Sequence, residues 1–256
     1  MDDALLELAT KAARRAGDLL LERFREPARG IESKSTPTDL VSDADRDAEA
    51  VIVDTIRSER PDDGILGEEG GREVSGSGLR WVIDPLDGTV NFLFRIPLWC
   101  VSIAVEEKER TRVALVYDPC RDELFSAMEG AGARLNGRRM QVTGTSDLSD
   151  ALIGTGFAYD AEARAIQARR LPRVLPRVRD IRRAGSAALD LASVSCGRLD
   201  GFFEAPMNPW DKAAGVLLVE EAGGVVAELP APLDDAHGVI AAGPQLFERL
   251  RELVLG

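Results

Sequence analysis

The sequence predicts a mixed α/β protein in which helices and sheets form alternating layers. Its first part carries two helical patterns, its middle carries short strand-like segments, and its last part alternates strands with helices. With 256 residues, such a chain buries about 70–75% of its unfolded surface, which is enough for a substantial core. We therefore expect one domain or two fused subdomains.

Two long helices are predicted at the start of the chain. The first covers residues 3–25, where leucines and alanines recur at helical spacing before Pro27 and Gly30. The second covers residues 42–59, and Pro61 ends it.

Strand-like runs fill the middle of the chain. They lie at 64–67, 79–84, 99–106, 112–118, 122–127 and 132–135. In the third run, Val101, Ile103 and Val105 alternate with smaller or polar residues, which predicts an antiparallel sheet buried on one face. The Gly- and Ser-rich segment 72–78 predicts an exposed loop.

The composition becomes polar at 143–150. This change predicts a boundary between an N-terminal α+β subdomain, 1–145, and a C-terminal α/β subdomain, 146–256. In the second subdomain, strands are predicted at 151–156, 178–182, 201–204, 225–229 and 239–242, and helices at 186–196, 210–222 and 244–254. The arginine-rich segment 164–183 is either a basic patch or, since it alternates with Leu, Val and Ile, a solvated face.

Charge and cysteine content exclude several kinds of protein. A net charge of −12 repels nucleic acid and anionic membranes. The three cysteines lie far apart without the spacing of a zinc site, which is typical of buried thiols in a reducing cytosol. The N-terminus lacks the pattern of a signal peptide, and no apolar run reaches the roughly 18–20 residues that span a bilayer. We expect a soluble, cytoplasmic protein.

The only histidine is His237, in a late loop. A Ser-His-Asp or Cys-His mechanism is therefore excluded near any motif. The remaining chemistry uses carboxylates, hydroxyls and a hard cation.

The segment 81–92 is the most informative motif. Its apolar run ends in two carboxylates, Asp84 and Asp87, followed at once by Gly88 and Thr89. Carboxylates this close repel each other unless a cation joins them, and a Gly-Thr step offers N–H groups and a hydroxyl to a phosphate. The alternative is a strand that ends in an acidic turn.

Further acidic segments at 38–45, 65–71 and 208–215 favour the metal site. Three blocks, GEE, DPxDGTxNF and WDxAAG, stand in this order at 67–69, 84–92 and 210–215. With them, the sequence resembles the inositol monophosphatase family of metal-dependent phosphatases, from about residue 34 to residue 224. The resemblance implies the layered αβαβα sandwich of the sugar-phosphatase type.

The resemblance also implies a metal site built from oxygen ligands. Four carboxylates and one backbone carbonyl match it: Glu68, Asp84, Leu86, Asp87 and Asp211. Oxygen ligands select Mg²⁺, with Mn²⁺ possible, over zinc. Asp84 and Asp87 are expected on one side of a helical turn. Most ligands fall in subdomain 1–145, and Asp211 falls with the substrate side in 146–256.

Asp45 and Thr89 match the pair that positions the attacking water in this family, which implies that both are catalytic. Gly88 and Thr89, at the start of a predicted helix, are expected to bind the phosphate. Lys34 matches a lysine near that region, with an ordinary surface lysine as the alternative.

The alcohol side of the substrate is implied by weaker matches. Glu204 matches a glutamate that contacts inositol hydroxyls, with a surface carboxylate at a strand end as the alternative. Ser186 and Ala187 match the start of the substrate-side helix. Ala158 stands where the family often has a polar residue, which leaves substrate choice open.

The expected function is a Mg²⁺-dependent phosphomonoesterase that hydrolyses myo-inositol monophosphate with a metal-activated water. The resemblance further implies inhibition by lithium and a homodimer. Fructose-1,6-bisphosphatase and histidinol-phosphate phosphatase activity are alternatives at the same metal site. An alternative of another class is a protein that binds the transcription machinery. We expect no direct contact with nucleic acid or membrane.

Overall fold

The computed structural model describes residues 1–26, 30–33, 40–72, 75–231, 233 and 236–256, without the side chains of 40, 41, 71 and 72. Its helices are α1 (Asp2–Arg25), α2 (Asp43–Glu59), α3 (Thr89–Leu93), α4 (Ala161–Ala168), α5 (Leu171–Val174), α6 (Ala187–Ser195), α7 (Pro209–Glu221) and α8 (Phe247–Leu255).

Most strands form two sheets. Their bounds are β1 (Glu32–Ser33), β2 (Leu40–Val41), β3 (Gly64–Gly67), β4 (Gly71–Arg72), β5 (Leu79–Asp87), β6 (Cys100–Glu107), β7 (Arg110–Asp118), β8 (Glu123–Met128), β9 (Gly132–Leu135), β10 (Arg138–Arg139), β11 (Leu152–Thr155), β12 (Asp180–Arg182), β13 (Gly201–Glu204), β14 (Val225–Pro230) and β15 (His237–Ala242). The large sheet has the order β10-β9-β8-β7-β6-β5-β3-β4, and the small sheet has the order β12-β11-β13-β15-β14.

The elements pack as five layers. Apolar residues of α1 and α2 cover one face of the large sheet. Helices α6 and α7 cover its other face and also pack against the small sheet. Helices α5 and α8 cover the far face of the small sheet. This order of helix, sheet, helix, sheet and helix confirms the predicted αβαβα fold.

The middle layer of helices explains one wrong prediction. Strand β6 was expected to be buried on one face, but all of its residues except Glu107 are buried. Helices lie on both of its sides, so the small residues of its second face contact helices instead of water.

The predicted polar boundary, 143–150, lies between the last strand of the large sheet and the first of the small one. Because α6 and α7 are shared by both sheets, the division into subdomains 1–145 and 146–256 stays a prediction.

Two other segments differ from the sequence-based prediction. The arginine-rich segment contains two short helices, α4 and α5, before its predicted strand. The helix expected after Gly88 is only five residues long. Within the described residues, no helix combines the length and apolar character needed to cross a bilayer.

Candidate active site

The end of β5 places Asp84 and Asp87 together through a bulge. Asp84 pairs with Ser102 and Asp87 pairs with Cys100, so three steps on one strand match two steps on the other. In a regular strand, residues at an odd separation point to opposite faces, and one extra residue reverses this relation. The predicted helical turn between the two carboxylates was therefore wrong, since both belong to a bulged strand.

Four carboxylates from three segments lie close enough to perturb one another. Burial raises the pKa of Asp84 well above its ordinary value, and the charges of Glu68, Asp87 and Asp211 raise it further. Burial also raises the pKa of Asp211 well above its ordinary value, with added repulsion from Asp87 and Glu68. The structure thus brings the four predicted carboxylate ligands together, at the end of β5, after β3 and in the first turn of α7.

Helix α6 holds one of these carboxylates at its N-terminus. Oδ2 of Asp87 accepts hydrogen bonds from the Ser186 hydroxyl and from the N–H of Ala188, each at 2.7 Å. Burial raises the pKa of Asp87, and these hydrogen bonds oppose that rise. Asp211 is held locally, because its Oδ2 accepts the N–H of Asn208 at 2.6 Å in a capping box. In each of these two side chains, one carboxylate oxygen therefore accepts hydrogen bonds from the protein.

The donor set fits a hard divalent cation. Among the described residues, no three His, Cys, Asp or Glu side chains already form a metal cage. The four carboxylates nevertheless offer only oxygen, and their mutual repulsion is the kind that a divalent cation relieves. The backbone carbonyl of Leu86 belongs to the same region, since it lies 3.0 Å from the hydroxyl of Thr89.

The predicted catalytic pair is in contact. The Thr89 hydroxyl lies 2.8 Å from Oδ1 of Asp45, and both side chains are buried. Oδ2 of Asp45 accepts the N–H and the hydroxyl of Ser42, which fixes it at the start of α2. Gly88 precedes Thr89 with φ +102, and a Cβ there would lie 2.9 Å from the carbonyl oxygen of Leu98. Only glycine fits this turn without strain.

A cavity of about 410 Å³ opens beside Asp87 and Asp211. Ser186, Ala187 and Glu204, the residues predicted for the alcohol side, line it. Burial raises the pKa of Glu204 to about 8, while the charge of Arg183 opposes this rise. Glu204 is thus a carboxyl of the cavity wall and is mostly protonated at neutral pH, whereas sequence reasoning left open a surface carboxylate.

Other residues near the cavity were not predicted from the sequence. Arg183 lines it, and its only sequence signal was the arginine-rich segment. Burial, with the charge of Asp87, raises the pKa of Asp190 to about 8, and Asp190 lies one helical turn after Ser186 on α6. Buried Gln167 accepts the N–H of Ala158 and donates to the carbonyl of Ala205.

Several residues of the sequence-based predictions lie outside the described residues. They are Pro27, Lys34, residues 38 and 39 of the acidic segment, and residues 73 and 74 of the predicted loop.

Comparison with known proteins gives consistent matches over almost the whole chain. The model of the inositol monophosphatase family matches residues 1–254. Nus factor SuhB of Escherichia coli K12 is 47% identical over 226 residues, which cover 88% of this chain and 85% of that protein. The crystal structure of extragenic suppressor protein suhB from Bartonella henselae is 38% identical, with a TM-score of 0.91 and 98% of each chain covered. The structure of inositol monophosphatase from Anabaena is 37% identical, with a TM-score of 0.86, and the match covers 99% of this chain and 96% of that one.

Proposed function

This chain belongs to the inositol monophosphatase family, and we propose that it is a Mg²⁺-dependent phosphomonoesterase that hydrolyses myo-inositol monophosphate. The observation that carries the proposal is the group of four mutually repelling carboxylates beside a cavity of about 410 Å³. Glu68, Asp84, Asp87 and Asp211, with the Leu86 carbonyl, are the proposed ligands. Such a set prefers Mg²⁺, with Mn²⁺ as a substitute.

The bound metal would neutralise charge on the phosphoryl group and lower the pKa of the attacking water. The protein orients that water through Thr89. Because the Thr89 hydroxyl donates its proton to Oδ1 of Asp45, its lone pairs are left to accept a hydrogen bond from the water. The turn at Gly88 and Thr89 is the proposed contact for the phosphate oxygens.

On the alcohol side, the protein offers a carboxyl and small side chains. A protonated Glu204 both donates to and accepts from a ring hydroxyl. Ser186 and Ala187 leave space for a ring, and the cavity volume is within the range of small-molecule sites. The Anabaena protein is named inositol monophosphatase, which supports the same substrate class. Fructose 1,6-bisphosphate and histidinol phosphate remain alternative substrates.

Phosphate release tests this proposal directly. The purified chain is assayed on inositol 1-phosphate, fructose 1,6-bisphosphate, histidinol phosphate and p-nitrophenyl phosphate, with Mg²⁺ or with excess EDTA. We expect hydrolysis only with the metal, inhibition by lithium, and the highest kcat/KM on inositol 1-phosphate. Full activity in EDTA would contradict the metal mechanism, and preference for another ester would correct the substrate.

We also propose that the chain forms a homodimer and is cytoplasmic. Sedimentation tests the homodimer, and cell fractionation tests the location.

A second role is proposed from the name of the relatives. Nus factor SuhB of Escherichia coli K12 is 47% identical to this chain, and its name suggests a transcription-related role. We infer that the chain also binds proteins of the transcription machinery. Affinity capture with the Asp87→Asn variant tests whether such binding is independent of catalysis. Absence of RNA polymerase and its factors from the captured proteins would reject this second role.

A further inference from the structure

Helix α2 carries a second buried carboxylate, one turn after Asp45. Glu49 follows Asp45 by four residues, so both point from the same face of the helix. The exposed fraction of Glu49 is 6%. Asp45 contacts Thr89, whereas Glu49 has no part in the proposed mechanism. A buried charged group at this place needs an explanation, because burial of a carboxylate is unfavourable unless it is compensated.

Glu49 lies under the loop that carries the metal ligand Glu68. Its Oε2 accepts the N–H of Glu69 at 2.9 Å. A Cβ at Gly67 would lie 2.6 Å from Oε2, and a Cβ at Gly70 would lie 2.5 Å from Oε1. The two glycines thus let the loop close around the carboxylate on both sides.

The loop is anchored on either side of the Glu68 side chain. The N–H of Glu68 donates to the carbonyl of Ile83 at 3.2 Å, and the next N–H donates to Glu49. Between these anchors, the side chain of Glu68 lies close enough to Asp84 for the two carboxylates to repel each other. The hydrogen bond to Glu49, at 2.9 Å, is shorter than the one to Ile83, so a side chain of α2 supplies the closer of the two anchors.

We propose that Glu49 is a positioning residue of the metal site, which holds the loop 67–70 so that Glu68 faces Asp84. This inference rests on the proposed metal-dependent function. Groups that orient metal ligands from behind typically change metal affinity by about 10–100-fold when they are replaced. Glu49 therefore sets the affinity of the site for its cation, whereas Thr89 and Asp45 determine kcat at saturating metal.

The test measures metal affinity and turnover separately. Wild type, Glu49→Ala and Glu49→Gln are titrated with Mn²⁺ by calorimetry without substrate, and with Mg²⁺ in the phosphatase assay. We expect Glu49→Ala to weaken Mn²⁺ binding by about 10–100-fold, with kcat close to wild type at saturating metal. Glu49→Gln keeps an oxygen acceptor without the charge and should lie between the two.

Asp54→Asn is the matched control. Asp54 is on the same helix, is exposed, and lines the same surface groove as Glu49, so the variant removes one charge without touching the loop. We expect its metal affinity to equal that of wild type. Gly67→Ala adds a methyl group that meets the Glu49 carboxylate from the loop side. This variant should weaken Mn²⁺ binding as Glu49→Ala does.

Three results would overturn the inference. These are unchanged metal affinity in Glu49→Ala and Glu49→Gln, a low kcat at saturating metal with normal affinity, and an equal loss of affinity in Asp54→Asn. If Glu49→Ala does not fold, Glu49→Gln and Gly67→Ala decide the question in its place. A wild-type chain that binds no divalent cation would overturn the proposed function as well, whereas normal binding in all variants overturns this inference alone.

Discussion

The two sides of the cavity differ in how firmly the fold holds them. On the metal side, Asp84 is 2% exposed at the end of a central strand, and Asp87 is fixed by two hydrogen bonds to α6. On the opposite side, the segment 156–160 leads into α4 and carries Tyr159, which is 42% exposed. Loops on a rigid scaffold change with little effect on the fold. We therefore expect that changes in the segment 156–160 affect the choice of alcohol more than they affect the reaction.

Replacement of Asp87 should have the largest effect, and the loss of kcat should be the same for all substrates. Asp87→Asn keeps an oxygen for the N–H of Ala188, so the fold should remain, as measured by circular dichroism. The loss of a charged metal ligand should lower kcat about a thousandfold or more. Asp54→Asn controls for the lost charge. Turnover near the wild-type rate, or a loss confined to inositol 1-phosphate, would contradict the assignment of Asp87 to the step that all substrates share.

The Thr89 hydroxyl should come next. Thr89→Ala removes the group that faces Asp45 and should lower kcat on the order of a hundredfold. KM should stay unchanged, because the hydroxyl orients water and not the alcohol. Thr89→Ser keeps the hydroxyl and should restore most of the rate. A change in KM alone would assign the Thr89 hydroxyl itself to substrate binding, together with the backbone of the Gly88–Thr89 turn that is proposed to contact the phosphate.

Glu204 should affect one class of substrate. Glu204→Ala removes a carboxyl that donates to and accepts from ring hydroxyls, at about 0.5–1.5 kcal/mol for each hydrogen bond, so kcat/KM on inositol 1-phosphate should fall about tenfold. Glu204→Gln stays neutral and should lose less. The rate on p-nitrophenyl phosphate, which has no ring hydroxyls, is the internal control. Equal losses on both esters would assign Glu204 to the metal site or the fold.

The smallest effect is on stability and concerns the same carboxyl. The pKa of Glu204 is raised to about 8 in the folded protein, from 4.5 as its ordinary value. Between pH 5 and 8 the unfolded chain has lost this proton and the folded chain keeps it, so the free energy of unfolding falls as pH rises. In EDTA, wild type should therefore lose Tm relative to Glu204→Gln across this range. Parallel Tm curves would show that Glu204 is ionised in the folded state.

The sequence predicted the helices and the carboxylate segments because these depend on local patterns, and the resemblance to the family implied the order of the layers. Apolar spacing at 3–25 and 42–59 was enough for two helices, and the blocks at 67–69, 84–92 and 210–215 named the ligand segments. The bulge between Asp84 and Asp87 depends on the register with Cys100 and Ser102, which no local pattern contains.

Burial that depends on contacts between distant segments could not be predicted from the sequence either. The second face of β6 is covered by helices that begin 80 or more residues later in the chain. The raised pKa of Glu204 depends on its burial and on the charges of Asp190 and Asp87. Glu49 looked like any polar residue of an amphipathic helix, and its contact with the N–H of Glu69 became visible in the structure.

The hydrogen bond from Ala188 to Asp87 joins residues 101 positions apart in the chain. One carboxylate therefore touches both the proposed metal and the first turn of a helix between the two sheets. Any shift of Asp87 towards a cation lengthens or shortens that bond, and the amide proton of Ala188 senses the change. Its NMR frequency and its rate of exchange with deuterium should therefore record metal occupancy without any substrate, as an internal indicator that the chain carries in its own backbone.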